Sequence, residues 1–253
     1  MTGKPDQALL PRASRSDGTV DPEAWISQPY FFSERTRGKA LYWPAGRDWF
    51  ANDPLPPIAH SHPRAAEVYF VVEGNLELTV GSTSFVMEAL DFCLIPTGAF
   101  HDPFGTNGTD CCMWCVVAPN WRGHRLQTEH FGAAELEPVP IVARVDGAGT
   151  LPSNDLLESS CVELAPGERE ERLEWRPGSE RLIYVLAGDA EVTIDRLSGI
   201  VEPHAFVHVP SGARHAITNV GSTVMRFVSV FAVDPPGLGL LDPLPSFGDG
   251  EDA

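Results

Sequence analysis

The chain has 253 residues, 43% of them apolar and 21% charged, the composition of a folded globular protein. Asp and Glu outnumber Lys and Arg by 35 to 18, a formal charge of −17, and a surface this acidic repels phosphate backbones and anionic lipids. Nucleic-acid and membrane partners are therefore not expected. With no apolar core of a leader peptide at Met1–Asp6 and no apolar run long enough to span a bilayer, the expectation is a cytoplasmic protein.

Gly and Pro number 23 each, which predicts many turns, short strands and little helix. In chain order, residues 1–20 are polar and read as a flexible start. Residues 24–50 carry Trp25, Tyr30, Phe31, Phe32, Tyr42, Trp43, Trp49 and Phe50, too aromatic for a tail, and are expected to cover a face or edge of the N-terminal β unit. Asn75-Leu-Glu-Leu-Thr-Val80 and Ala190-Glu-Val-Thr-Ile194 alternate as half-buried strands do, each after a Gly-led turn. Further strands are expected at Phe85–Met87, Phe92–Ile95, Cys112–Val117 and Met225–Phe231, with one short helical turn at Ala133–Glu137. The acidic Pro/Gly-rich tail is 235–253.

The chain repeats itself. Glu67-Val-Tyr-Phe-Val-Val-Glu-Gly74 aligns with Arg181-Leu-Ile-Tyr-Val-Leu-Ala-Gly188, and Pro96-Thr-Gly98-Ala-Phe-His101 with Pro210-Ser-Gly212-Ala-Arg-His215; both pairs are 114 residues apart. A constant offset between separate landmarks means duplication of one all-β unit, a sandwich or small barrel. The units are placed at 21–138 and 139–234.

The first unit holds the chemistry. His60 and His62, two apart on an extended segment, face one side, and Glu67 on the next strand can reach the same point. His101 arrives from another strand, placed by the Pro96–Gly98 turn. Three imidazoles and one carboxylate suit Fe2+, Mn2+, Ni2+, Zn2+ or Cu2+. Tyr69 shares strand parity with Glu67 and is expected to point inward, to pack or to meet substrate.

The run His-X-His-X4-Glu-X6-Gly, filled by His60, His62, Glu67 and Gly74, resembles the first motif of the cupin superfamily. Pro96-X-Gly98-X-X-His101 resembles the second, with Leu90 in place of the usual preceding Gly and Asn107 further from the His than the family's usual Asn. The resemblance implies two tandem jelly-roll barrels (a bicupin) and one divalent ion ligated by His60, His62, Glu67 and His101. It leaves the reaction open, since this family spans oxygenases, decarboxylases, isomerases, lyases, cyclases and plain binders.

The second unit loses the ligands. Adding the repeat offset puts Glu174, Arg176 and Arg181 where His60, His62 and Glu67 stand; only His215 survives. Arg cannot ligate a metal, so one ion per chain is expected, in the first barrel. Arg176, Arg181 and His215 either hold an anion or form a lumen-filling network with Glu174 as counter-ion, the network being preferred. His124, His130, His204 and His208 join no ligand set. The five cysteines, Cys93, Cys111, Cys112, Cys115 and Cys161, read as free buried thiols rather than zinc ligands. The functional expectation is a non-haem Fe2+ dioxygenase or oxygenase acting on a small organic substrate. A redox-neutral isomerase, lyase or cyclase comes second and a non-enzymatic binding protein third. A homodimer is expected on general grounds of exposed barrel faces.

Overall fold

A computed structural model describes residues 9–10, 29–32, 37–43, 60–62, 65–104, 111–119, 125–126, 141–172 and 179–233, and these contain strands and turns but no helix. The first half contributes β1 (Leu9–Leu10), β2 (Pro29–Phe32), β3 (Arg37–Trp43), β4 (His60–Ser61), β5 (Ala66–Glu73), β6 (Asn75–Val80), β7 (Thr83–Glu88), β8 (Asp91–Ile95), β9 (His101–Phe104), β10 (Cys111–Ala118) and β11 (Arg125–Leu126). The second contributes β12 (Ile141–Arg144), β13 (Gly149–Thr150), β14 (Leu157–Leu164), β15 (Arg169–Arg172), β16 (Glu180–Ala187), β17 (Ala190–Ile194), β18 (Leu197–Val201), β19 (Phe206–Val209), β20 (His215–Asn219) and β21 (Met225–Ala232).

These strands make two barrels of two antiparallel sheets each. The first pairs a sheet of order β12-β8-β5-β10-β3-β2 with one of order β11-β4-β9-β6-β7; the second pairs β1-β19-β16-β21-β14-β13 with β15-β20-β17-β18. The repeat is visible strand for strand: β5 and β16, and β10 and β21, begin and end 114 residues apart. The aromatic segment 24–50 contributes an edge hairpin, β2–β3, whose inner strand lies along β10 from Trp43–Cys111 to Arg37–Val117. Trp25, Trp49 and Phe50 lie outside the described residues, as do the expected turn at 133–137 and the tail 235–253.

Burial explains the sequence patterns. In β6 the pattern alternates because Leu76, Leu78 and Val80 fill the first lumen while the other face meets solvent. Along β5 there is no such alternation, because both faces are covered. Glu67, Tyr69 and Val71 point into the lumen, while Ala66, Val68 and Phe70 enter a core shared with the second barrel. That shared core joins Trp114, Val116 and Phe92 to Leu182, Tyr184, Phe206 and Val228. Trp114 stacks on Tyr184 at 5.9 Å between centroids, and Tyr184 packs on Phe206 at 4.7 Å. The barrels therefore meet back to back through their larger sheets.

Each barrel also covers an edge of the other. Ile141–Arg144, read from sequence into the C-terminal unit, pairs with β8 of the first barrel, and Leu9–Leu10 pairs with β19 of the second. Leu9–Leu10 fall within 1–20; the rest of that stretch lies outside the described residues. The unit boundary at 138/139 thus does not coincide with the sheet boundary. Two edges that would otherwise expose unpaired backbone are covered this way.

The Leu90 turn forms without glycine. Leu90 adopts φ of +73°, and its repeat counterpart His204 adopts +69°; their N–H groups donate to Val71 and Val185 carbonyls at 2.7 Å. Leu90 packs its side chain on the shared core and the His204 ring bonds the Tyr184 hydroxyl at 2.8 Å, contacts that hold residues with a Cβ in the left-handed region.

Candidate metal centre

His62 follows β4, Glu67 lies near the start of β5 and His101 opens β9. One turn fastens two of these segments. Gly98 at φ +80° lets the chain reverse after Pro96, and its N–H donates to the His62 carbonyl at 2.9 Å. The same turn delivers His101, whose Nδ1 lies 3.0 Å from the Ala99 carbonyl. A carbonyl only accepts, so Nδ1 carries a proton and Nε2 is left to face Glu67 in the lumen, as a lone pair toward an ion or as a second N–H.

Glu67 Oε2 stands 2.8 Å from His101 Nε2 and 3.0 Å from His62 Nε2, and the three side chains are all but fully buried. Burial alone would raise the Glu67 carboxyl, but the charge and hydrogen bonds of His62 and His101 outweigh it and hold it well below the usual carboxylate range. A carboxylate oxygen facing two ring nitrogens at this distance needs a cation among them, either protons on the rings or a metal ion. The donor atoms of His62, Glu67 and His101 lie within 4.8 Å of one another, the only such group among the described residues. Neutral nitrogen and anionic oxygen donors fit a borderline divalent ion. The backbone of His60 pairs with His101 across β4 and β9, which brings His60 to the same sheet position; its side chain lies outside the described residues. Tyr69 faces the lumen as expected, with its ring 5.8 Å from that of His101 in an edge-on contact. Asn107, His124 and His130 lie outside the described residues.

Around the ligands the lumen is apolar: Val71, Leu76, Leu78, Met87, Ile95, Met113 and Val117, with Cys93, Cys111 and Cys115. Cys115 was expected only as packing. Its thiol instead donates to Glu67 Oε1 at 2.6 Å. A thiol reads as a small apolar residue in sequence, which hides this role; the signal that could have found it is the serine at the corresponding repeat position, 229. Cys93 is pushed up to about 12 by burial and by the negative Glu67 nearby, so it stays a thiol.

The second lumen answers the same geometry with a guanidinium. Arg181 is fully buried and donates through Nε to Ser229 Oγ at 2.8 Å and through Nη2 to Glu170 Oε2 at 2.9 Å, while Nη1 meets His215 Nε2 at 2.8 Å. Phe231 and Phe227 face its carbon at 4.9 and 5.6 Å. The network reading therefore holds for Arg181 and His215, with Glu170 as an acceptor. Arg172 pairs with His215 as His60 pairs with His101, two residues out of step with the repeat offset. Glu174 and Arg176 lie outside the described residues. Glu180 bonds His208 at 3.2 Å.

A Cupin domain model matches residues 54–118 and 160–231. The chain belongs to the cupin family. Both matched segments fall on the two barrels, so this cupin is a bicupin. Similar solved structures include oxalate decarboxylase from Bacillus subtilis, 15% identical, covering 80% of this chain and 69% of that one with a TM-score of 0.57. Oxalate decarboxylase from Lactobacillus farciminis in complex with formate is 18% identical over 79% of this chain and 78% of that one, with a TM-score of 0.55. A putative glyoxylate-induced protein from Pseudomonas aeruginosa is 19% identical over 81% and 77%, with a TM-score of 0.56. At these identities the likeness is one of fold. No curated protein matches the sequence.

Proposed function

We propose that this bicupin is a metal-dependent enzyme whose N-terminal barrel holds one divalent ion on His62, Glu67 and His101, with His60 as fourth ligand, and acts on a small organic molecule. The observation that carries the reading is the convergence of three buried donors in an otherwise apolar lumen. Bound there, the ion would supply Lewis acidity and, as Fe2+, access to dioxygen. The chain's own residues set the terms: Ala99 fixes the His101 tautomer, Glu67 contributes the single negative charge, and the apolar walls keep water out.

The apolar side chains around the donors favour a substrate that chelates the ion and packs on them, a phenol, β-diketone or thiol for an oxygenase. Oxalate, the substrate named for two of the similar structures, belongs in the same panel as the dianionic extreme. The test is oxygen uptake by the iron-loaded protein with that panel, beside His101→Ala. Uptake that needs His101 is expected; no uptake with any compound contradicts the oxygenase reading. A second, redox-neutral reading is favoured by the buried Tyr69 beside His101, a candidate acid/base group. It predicts anaerobic turnover that survives replacement of iron by Zn2+ or Ni2+.

A further inference from the structure

We propose that Cys115 is a positioning residue for the metal site: its thiol occupies Glu67 Oε1 and so commits Oε2 alone to the ion. The inference rests on the metal reading above. The two carboxylate oxygens have different neighbours, Oε1 the Cys115 sulfur at 2.6 Å and Oε2 the ring nitrogens of His101 and His62 at 2.8 and 3.0 Å. Cys115 is itself buried and is not a member of the converging donor group, so it acts on the ligand rather than on the ion. The contact is built by strand register. Glu67 on β5 lies opposite Val117 on β10, and Cys115, two residues along, is its diagonal neighbour on the lumen face.

The second barrel repeats the construction with the sense reversed. Arg181 lies opposite Phe231, and the diagonal Ser229 accepts from Arg181 Nε at 2.8 Å. A group that can donate or accept is thus placed on the central lumen residue in both barrels, and a hydroxyl fits the position. Without a donor, Oε1 is a buried anionic oxygen with one fewer bond, and the carboxylate can turn away from the mode the histidines frame. Partners one step beyond a metal ligand typically contribute about 10–100-fold in affinity.

The test is Mn2+ titration of the full-length protein, read by the electron paramagnetic resonance of free and bound ion, for wild type, Cys115→Ser, Cys115→Ala, Cys115→Val and His101→Ala. Cys115→Ser should bind close to wild type with the same bound-ion spectrum. Cys115→Ala and Cys115→Val should each lose about 10–100-fold in affinity and alter that spectrum. Val fills the space of the thiol and Ala does not, so agreement between them separates the lost donor from lost packing, and either suffices if the other fails to fold. Wild-type binding by Ala and Val overturns the proposal, as does a serine variant that fails along with them. If wild type binds no better than His101→Ala, the metal reading itself falls and takes this inference with it.

Discussion

The two lumens share the register of their central strands and carry opposite charges at one central position. At the position of Glu67 the second barrel carries Arg181; His101 and His215 occupy the same place, as do Cys115 and Ser229. In the first barrel two ring nitrogens and a carboxylate oxygen converge on a point that protons on the rings or a metal ion would fill. In the second, Glu170, His215 and Ser229 converge on a guanidinium that the chain supplies itself. A scaffold that gathers acceptors can thus be closed with protons or an ion, or with an arginine.

Replacing Arg181 tests that comparison most severely. Arg181→Met removes the cation from a buried ion pair and leaves Glu170 uncompensated, which should cost about 3–5 kcal/mol of stability in urea unfolding. Metal uptake by the first barrel should be unchanged, because the two lumens share no side chain. A variant as stable as wild type would mean that the guanidinium is not what closes the second barrel.

A smaller effect sharpens the same contrast. Gly98 and Gly212 both sit at φ +80° with open space where a Cβ would stand, so alanine at either costs only backbone strain, about 1–2 kcal/mol. The stability loss should match in the two barrels. Metal affinity should fall for Gly98→Ala alone, since Gly98 holds the His62 segment and delivers His101. Equal metal affinity in both variants would contradict the placement of the site.

Much of this was legible in the sequence because the signals are local. The offset between Pro96-Thr-Gly98 and Pro210-Ser-Gly212 gives the duplication, and the spacing of His62, Glu67 and His101 gives the donor set. What was not legible depends on partners distant in the chain. Val68–Val72 and Leu182–Leu186 read as continuous apolar runs, but such a run does not say whether a helix or another barrel covers its second face. The strands at Leu9–Leu10 and Ile141–Arg144 are fixed by the edges they cover more than by patterns of their own. The bond from Arg181 to Glu170 was not legible, because Glu170 lies in a segment without landmarks whose pairing with β20 is two residues out of step with the repeat offset. Leu90 shows the reverse case, a motif position whose turn survives without its glycine because the fold imposes the conformation.

The central claim is one ion, held in the first barrel only. Metal analysis of purified wild type, His101→Ala and His215→Ala tests it directly. The account predicts about one ion per chain in wild type and in His215→Ala, and none in His101→Ala. Equal loss in the two variants, or an ion retained by His101→Ala, would contradict it.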